Sequence, residues 1–382
     1  MKTTSTVRCG NRTDVGDVPL VPVQSAGLSR IGSIHGASGL VPVVDDNNRP
    51  LLPCRPLIAR KLINKNKAVP YYKKGFFAIK LRKVVGNVTE KSIVMSIDPG
   101  SKRTGITVAT EDAVILNVQC DTPCWIKKKM ESRRNYRRSR RTRNTPYRKC
   151  RFNRKFGGVP PTTKARWSVH LRILDTLRKI IPITNVVIED IQAKTMKNGR
   201  KWNINFSPLE VGKKFFAEEV SKRQLTLDTY AGYETKKQRT YRGFSKSHSK
   251  LAENWNVHCV DSHCLAEILF GDIEPVRSMY VLDLLQFHRR ELHQGFKKGG
   301  VRRQYGSTRS LGICRGTLVK VPKYGIVYVG GTSKGRISVH SVETAERLAS
   351  NIRPDSIRTL TKLTWRRRFL PGLKSGVTAP SN

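Results

Sequence analysis

Ser96-Ile97-Asp98-Pro99-Gly100-Ser101-Lys102-Arg103-Thr104-Gly105-Ile106-Thr107-Val108-Ala109 is the stretch on which the fold turns. The apolar run Ile93-Val94-Met95-Ser96-Ile97 ends on one carboxylate, Asp98. Pro99-Gly100-Ser101 makes a turn, and a second apolar strand opens at Gly105. A carboxylate at the end of a buried strand, beside a glycine-bearing turn, stands on a rigid support with open space next to it. That position suits a metal ligand. The plain alternative is an aspartate capping an ordinary hairpin turn, and the more C-terminal elements of the chain decide between the two.

Ile93 to Cys120 reads as three strands joined by tight turns, the second turn marked by Glu111-Asp112, which makes an antiparallel meander. Trp167 to Ile181 is expected to be a helix, with Val169, Leu171, Leu174, Leu177 and Ile181 at helical spacing and Pro182 ending it. Asn185-Val186-Val187-Ile188-Glu189-Asp190 is a buried strand ending in two carboxylates. Those two point to opposite faces, so only one of them can join Asp98. A helix over Pro208 to Ser221 and a strand over Leu225 to Tyr230 come next, then a polar, basic, irregular stretch from Tyr233 to Glu253. Val257 to Phe270 is a helix with Val257, Val260, Cys264, Leu265, Ile268 and Leu269 inward, closed by Gly271.

Three strands, helix, strand, helix, strand, helix is the order of the ribonuclease-H-like α/β fold. Its first and fourth strands lie side by side, which makes Asp98 and Glu189 neighbours, and its last helix brings Asp261 to the same edge. In-line hydrolysis of a phosphodiester needs such a cluster, with two metals about 3.5–4 Å apart. Mg2+ takes hard oxygen ligands and keeps several waters, so a few carboxylates suffice, and Mn2+ can substitute. Asp98, Glu189 and Asp261 are the expected metal ligands. His258, three residues before Asp261, shares its helical face and is the candidate to orient or deprotonate the attacking water. Its plain alternative is a helix-start histidine satisfied by backbone groups.

The chain of 382 residues carries 73 Lys and Arg against 28 Asp and Glu, a formal charge of +45. Such a chain repels itself unless a polyanion neutralises it, which points to nucleic acid. From Lys127 to Lys155, 15 of 29 residues are Lys or Arg and only Glu131 is acidic. Arg133, Arg134, Arg137, Arg138, Arg140, Arg141 and Arg143 would point in nearly every direction around a helix. A helix of that kind makes sense between phosphate backbones, where guanidinium forks pair bidentately. No apolar run approaches the roughly 18 residues of a membrane span, and the eight scattered cysteines contain no Cys-x-x-Cys, which argues against a zinc ribbon and for reduced thiols.

Residues 1–35 read as a flexible extension without a secretory signal. Val41-Pro42-Val43-Val44-Asp45 is a short strand and turn, Pro50 to Cys54 a proline-bounded connector, Pro56 to Asn64 a helix, and Ala68 to Tyr72 and Phe76 to Leu81 strands. After residue 285 the chain is basic and glycine-punctuated, with short strands at Thr317 to Pro322, Gly325 to Val329 and Arg336 to Val339.

These motifs together resemble the RuvC-type, transposon-encoded RNA-guided nucleases of the IscB and IsrB group over residues 41–370. Pro50-Leu51-Leu52-Pro53 is similar to the group's Pro-Leu-Met-Pro signature, and Ile97-Asp98-Pro99-Gly100-Ser101-Lys102 to its first RuvC motif. Arg137-Arg138-Ser139-Arg140-Arg141 matches the Arg-Arg-x-Arg-Arg bridge helix. Val187-Ile188-Glu189-Asp190 resembles the second RuvC motif, which favours Glu189, and His258-Cys259-Val260-Asp261-Ser262 the third, although His263 stands where relatives often carry Trp. Lys298-Gly299-Gly300-Val301-Arg302-Arg303, Tyr305-Gly306 and Arg309-Ser310 are similar to the group's region C-terminal to the third motif.

The resemblance divides the chain into the extension (1–35), a basic N-terminal module (36–92), RuvC part I (93–126), the bridge helix (127–155), RuvC parts II and III (156–284) and a basic β-rich C-terminal domain (285–382). The 71 residues from 191 to 261 contain no Cys-x-x-Cys and no histidine pair of HNH type, which places the resemblance with the IsrB branch. It implies a Mg2+-dependent nickase with one RuvC centre that cuts the displaced, non-target strand. The protein would be a monomer in a ribonucleoprotein with a guide RNA, acting on double-stranded target DNA in the bacterial cytoplasm or an organelle. The competing readings are a catalytically silent RNA-guided or RNA-binding protein, and an unguided junction resolvase. The three acids argue against the first, and the arginine helix with its two appended modules against the second.

Overall fold

A computed structural model of the chain describes residues 39–86, 91–100, 102–142, 159–190, 208–247, 249, 252–284, 309–310, 313–333, 335–362 and 365–372. The expected extension 1–35 and the motif residues from Lys298 to Gly306 lie outside them, as does Arg143.

The first described unit is β1 (Val41–Val44), β2 (Pro50–Cys54), α1 (Pro56–Asn64), β3 (Ala68–Lys73) and β4 (Phe76–Leu81), which form a sheet of order β2-β1-β4-β3. Pro50 to Cys54 is therefore a strand and not a connector: Val43 pairs with Leu51 and Val44 with Pro50. It is an edge strand, where a proline's missing N–H costs the ladder nothing on the open side.

The central sheet comprises β5 (Ile93–Asp98), β6 (Arg103–Thr110), β7 (Val114–Asp121), β8 (Asn185–Asp190), β9 (Thr226–Ala231) and β10 (Met279–Leu284). The helices between them are α2 (Trp125–Thr142), α3 (Pro161–Leu177), α4 (Pro208–Ser221), α5 (Gly232–Tyr241) and α6 (Trp255–Phe270). Beyond them, β11 (Arg309–Ser310) and β12 (Ile313–Cys314) form a small pair. A five-stranded antiparallel sheet is built from β13 (Thr317–Val321), β14 (Gly325–Ser333), β15 (Arg336–His340), β16 (Arg347–Ile352) and β17 (Arg358–Lys362).

β18 (Trp365–Leu370) returns to the central sheet and pairs antiparallel with β10 along six residues, from Met279 with Leu370 to Leu284 with Trp365. The chain after residue 285 is thus not confined to the small C-terminal sheet. The full central order is β18-β10-β7-β6-β5-β8-β9. Within it, β5 to β7 are an antiparallel meander and β5–β8 and β8–β9 are parallel. That strand order and sense is ribonuclease-H-like.

Strand alternation sorts the two faces of this sheet. Ile93, Met95 and Ile97 of β5 join Val186 and Ile188 of β8 in one core, packed on Trp167, Ile173 and Leu174 of α3 and Phe216 of α4. Val94 and Val187 face the other way, onto Leu265 and Ala266 of α6. α3 starts six residues earlier than its apolar spacing suggests, because Pro161 at its first turn is pre-set for a helix start.

α6 is buried nearly all round, including the polar His258, Asp261, Ser262, His263 and Glu267, and not only along its apolar stripe. Its start is capped by Asn254, whose side chain accepts from the Asn256 backbone N–H at 3.2 Å. Ser262 finds its partners on the sheet. Ser96 Oγ donates to the Ser262 carbonyl at 2.5 Å, Thr107 Oγ1 lies 2.9 Å from Ser262 Oγ, and Thr107 also donates to Asn117 at 2.9 Å. This seam crosses β5, β6 and β7 and fixes the register of α6 on the sheet.

Trp365 of β18 is fully buried, donates its indole N–H to the Lys74 carbonyl at 3.2 Å and packs edge-on against Phe76. It joins the N-terminal module to the central sheet. Trp365→Ala is expected to cost about 3–5 kcal/mol through the cavity it leaves, seen as a lower denaturant midpoint. A change below about 1 kcal/mol would place this junction outside the cooperative unit.

Candidate active site

The alternation that sorts the two cores also selects the acids. Asp98 comes after Val94 and Ser96 on the α6 face of β5, and Glu189 after Val187 on the α6 face of β8. β5 and β8 are hydrogen-bonded neighbours in register, Ile97 opposite Ile188, so the next residues on each strand meet at one end of the sheet. Asp190, one residue on, turns to the other face and pairs with Lys213 of α4. On α6, Asp261 is the residue before the Ser262 carbonyl that Ser96 holds.

Asp98, Glu189 and Asp261 are thus brought together from three elements. The carboxyl of Asp98 is pushed well above the usual carboxylate range, chiefly by burial and then by the charges of Glu189 and Asp261. Glu189 is raised too, by burial and then by Asp261. The two share a hydrogen bond, which raises Asp98 and lowers Glu189. Gly232, at the start of α5, leaves the space that Glu189 fills: a Cβ there would stand 3.0 Å from Glu189 Oε1.

The Asp261 side chain is 4% exposed, and its two oxygens are held by Arg239 of α5 and Lys246. Neither base is legible in the sequence, where Tyr233 to Glu253 reads as irregular. α5 forms there because Glu234 accepts from the Ala231 backbone N–H at 2.6 Å, which caps a helix that lacks an apolar stripe. The acids of the motifs are the only signal for their bases.

Among the described residues, no group of three His, Cys, Asp or Glu side chains is arrayed ready to hold a metal ion. Asp98, Glu189 and Asp261 nevertheless offer hard oxygen donors. Asp98 and Glu189 are hydrogen-bonded to each other, and the Asp261 oxygens are engaged by Arg239 and Lys246. Carboxylate oxygens are the donor type that Mg2+ and Mn2+ take.

His258 is nearly buried, with its carbonyl against Gly105. Burial, and then the nearby Arg103, push its imidazole down to about 4, while a hydrogen bond to the Ala252 backbone opposes this. It is neutral at pH 7, and its Nε2 has no hydrogen-bond partner among the described residues.

Arg103, just after the turn, lies 3.1 Å from Asp121 and 3.5 Å from Glu253. Glu253 in turn receives both terminal nitrogens of Arg368 at 2.6 and 2.7 Å, and Arg368 also reaches Asp283 at 3.1 Å. This network ties β18 to the residue just ahead of the Asn254 cap of α6.

α2 projects Arg133, Arg134, Arg137 and Arg138 into solvent, with no acid in its first turn. Arg140 and Arg141 lie on the same helix, and their side chains are outside the described residues.

Residues 41–206 match the family model described as RRXRR protein. The RRXRR segment contains Asp98, Glu189 and the Arg137-Arg138-Ser139-Arg140-Arg141 run, and ends before Asp261. No curated protein matches the chain. Among solved structures, T. thermophilus RuvC in complex with Holliday junction substrate is 12% identical, with a TM-score of 0.25, over 46% of this chain and 90% of that one. The ribonuclease-H-like assignment rests on the strand order and register given above. Among the described residues no helix is long and apolar enough to cross a membrane.

Proposed function

We propose that this chain is an RNA-guided DNA endonuclease that hydrolyses one strand at the Asp98–Glu189–Asp261 centre. The observation that carries the reading is the convergence of these acids from β5, β8 and α6 at one sheet edge, with Asp98 hydrogen-bonded to Glu189. The RRXRR match around an arginine helix whose side chains face solvent supports a nucleic-acid partner.

Asp98, Glu189 and Asp261 would hold Mg2+ or Mn2+, which supplies an activated water and stabilises the leaving oxygen. His258, neutral at pH 7 and with Nε2 free of partners among the described residues, would receive a proton from the attacking water. The arginines of α2, in a chain of +45, would neutralise guide RNA and heteroduplex backbones. With one such centre the product is a nick, placed by resemblance in the displaced strand. The chain would work as a monomer in its ribonucleoprotein. A silent, RNA-guided binder is the second reading, favoured by the engagement of both Asp261 oxygens.

The test is to purify the protein with its RNA, sequence that RNA, and assay supercoiled plasmid carrying the matching target with Mg2+. Open-circle product is expected from the parent and from Asp190→Ala, and none from Glu189→Ala with RNA binding retained. Nicking by Glu189→Ala would refute the assignment of the centre, and an inert parent would leave the silent binder.

A further inference from the structure

Asp261 meets its two cations from a segment that is pinned on both sides. α5, which carries Arg239, is tied to α6 through Gln238 at 3.2 Å from Glu267. Arg242 reaches Glu267 at 2.9 Å and Asp272 at 3.2 Å. Phe244 packs edge-on against Trp255 and His263, each with ring centroids 5.6 Å apart. Lys246 comes two residues later. Its side chain is 36% exposed, while the Asp261 side chain it holds is 4% exposed. The ammonium also lies within the field of Asp98.

A purely structural tether does not account for this pair. The Gln238, Arg242 and Phe244 contacts already fasten α5 and its following segment to α6, and a buried ion pair adds little net stability beyond them. What the pair does change is the charge of the centre. Among the described residues, three acids face two bases, and the bases sit on an acid expected to be a metal ligand.

We propose that Arg239 and Lys246 are the phosphate-binding residues of this centre, an inference that rests on the nuclease reading above. In the free protein they neutralise Asp261. With a divalent cation at the acids, the guanidinium and ammonium would be released from Asp261 at this sheet edge. There they pair with the non-bridging oxygens of the phosphodiester to be cut. Guanidinium suits this by its planar fork and ammonium as a mobile point charge. The Lys246 side chain, 36% exposed, reaches from solvent to the buried carboxylate. The two bases thus serve first as stand-ins for the cation and then as clamps on the substrate.

The experiment titrates Mn2+ into the RNA-loaded parent, Lys246→Met and Arg239→Met by calorimetry, with nicking measured at saturating Mn2+. Each variant is expected to bind Mn2+ about tenfold tighter, because the cation no longer competes with a fixed positive charge for Asp261, and yet to nick at least about tenfold more slowly. Lys246→Arg is expected to restore nicking to within a few-fold of the parent. Unchanged or weaker Mn2+ binding in the variants, with a lowered melting temperature, would make the pair a tether and overturn the proposal. Parent-like nicking by both variants at saturating Mn2+ would do the same. A parent that neither binds Mn2+ nor nicks would overturn the nuclease reading along with it.

Discussion

Gly105→Ala is expected to lower nicking by roughly 100-fold or more while leaving RNA binding through α2 intact. Gly105 lies on β6 opposite Asp98 on β5, and α6 crosses directly over it. A Cβ at this position would stand 1.6 Å from the His258 carbonyl oxygen and 2.5 Å from its carbon. Both are backbone atoms of a helix buried nearly all round, so no side chain can swing aside. Helix and sheet would have to separate by more than an ångström. The first contacts to go would be the Ser96–Ser262 and Thr107–Ser262 hydrogen bonds, which set the height of α6 over the sheet.

Asp261 and His258 ride on that helix, whereas Asp98 and Glu189 stay with the sheet. A displacement of about 1 Å between catalytic groups is enough to cost about 100-fold in rate. Overpacking against backbone would also cost about 1–3 kcal/mol of stability. The check is to compare nicking, melting temperature and RNA affinity of Gly105→Ala with those of the parent. Parent-like nicking would mean that α6 does not set the position of Asp261 relative to the other acids.

This contact shows what the sequence does and does not reveal. The meander and the β8 strand are legible because a buried strand writes its face as a period of two. The same period separates Glu189 from Asp190 once a core is known to lie on each side. Gly105 is legible only as a turn-side glycine, since the atom it must avoid is 153 positions further along the chain. Arg239 and Lys246 are hidden for a different reason. α5 is stabilised by a cap and by ion pairs to α6, not by an apolar stripe, so Gly232–Tyr241 reads as a charged loop. β18 is hidden likewise: Trp365-Arg366-Arg367-Arg368 reads only as part of the basic β-rich C-terminal domain. Arg366 and Arg368 find Asp283 of β10, and Arg368 also finds Glu253, acids that lie more than 80 residues earlier. Local periodicity cannot record a partner that only the folded sheet brings near.

Asp98→Asn is expected to abolish nicking and, in the same protein without added divalent cation, to raise the melting temperature at neutral pH. The folded state holds the Asp98 carboxyl well above its ordinary range, through burial and the charges of Glu189 and Asp261. Unfolding returns it to the ordinary value of about 3.9. Between that value and the raised one, the folded chain binds more protons than the unfolded chain. Stability therefore falls as pH rises through this window, and the deficit persists above it. The substituted amide has the shape of the protonated carboxyl and can donate to Glu189 in its place, but it has no charge to lose. Its gain over the parent is expected to be about 0.5–2 kcal/mol at neutral pH, the usual scale on which a functional site trades stability for activity. It should shrink toward zero as pH falls below about 3, where the parent carboxyl is protonated in both states. Because Asp98 and Glu189 are hydrogen-bonded to each other, the parent's transition belongs to the pair and not to either residue alone. The measurement is melting temperature against pH for parent and variant, with EDTA present. A gain that does not depend on pH would mean that Asp98 is not strained by its acidic neighbours. A loss of stability at neutral pH would mean that its carboxylate is held by donors, as in an ordinary turn cap.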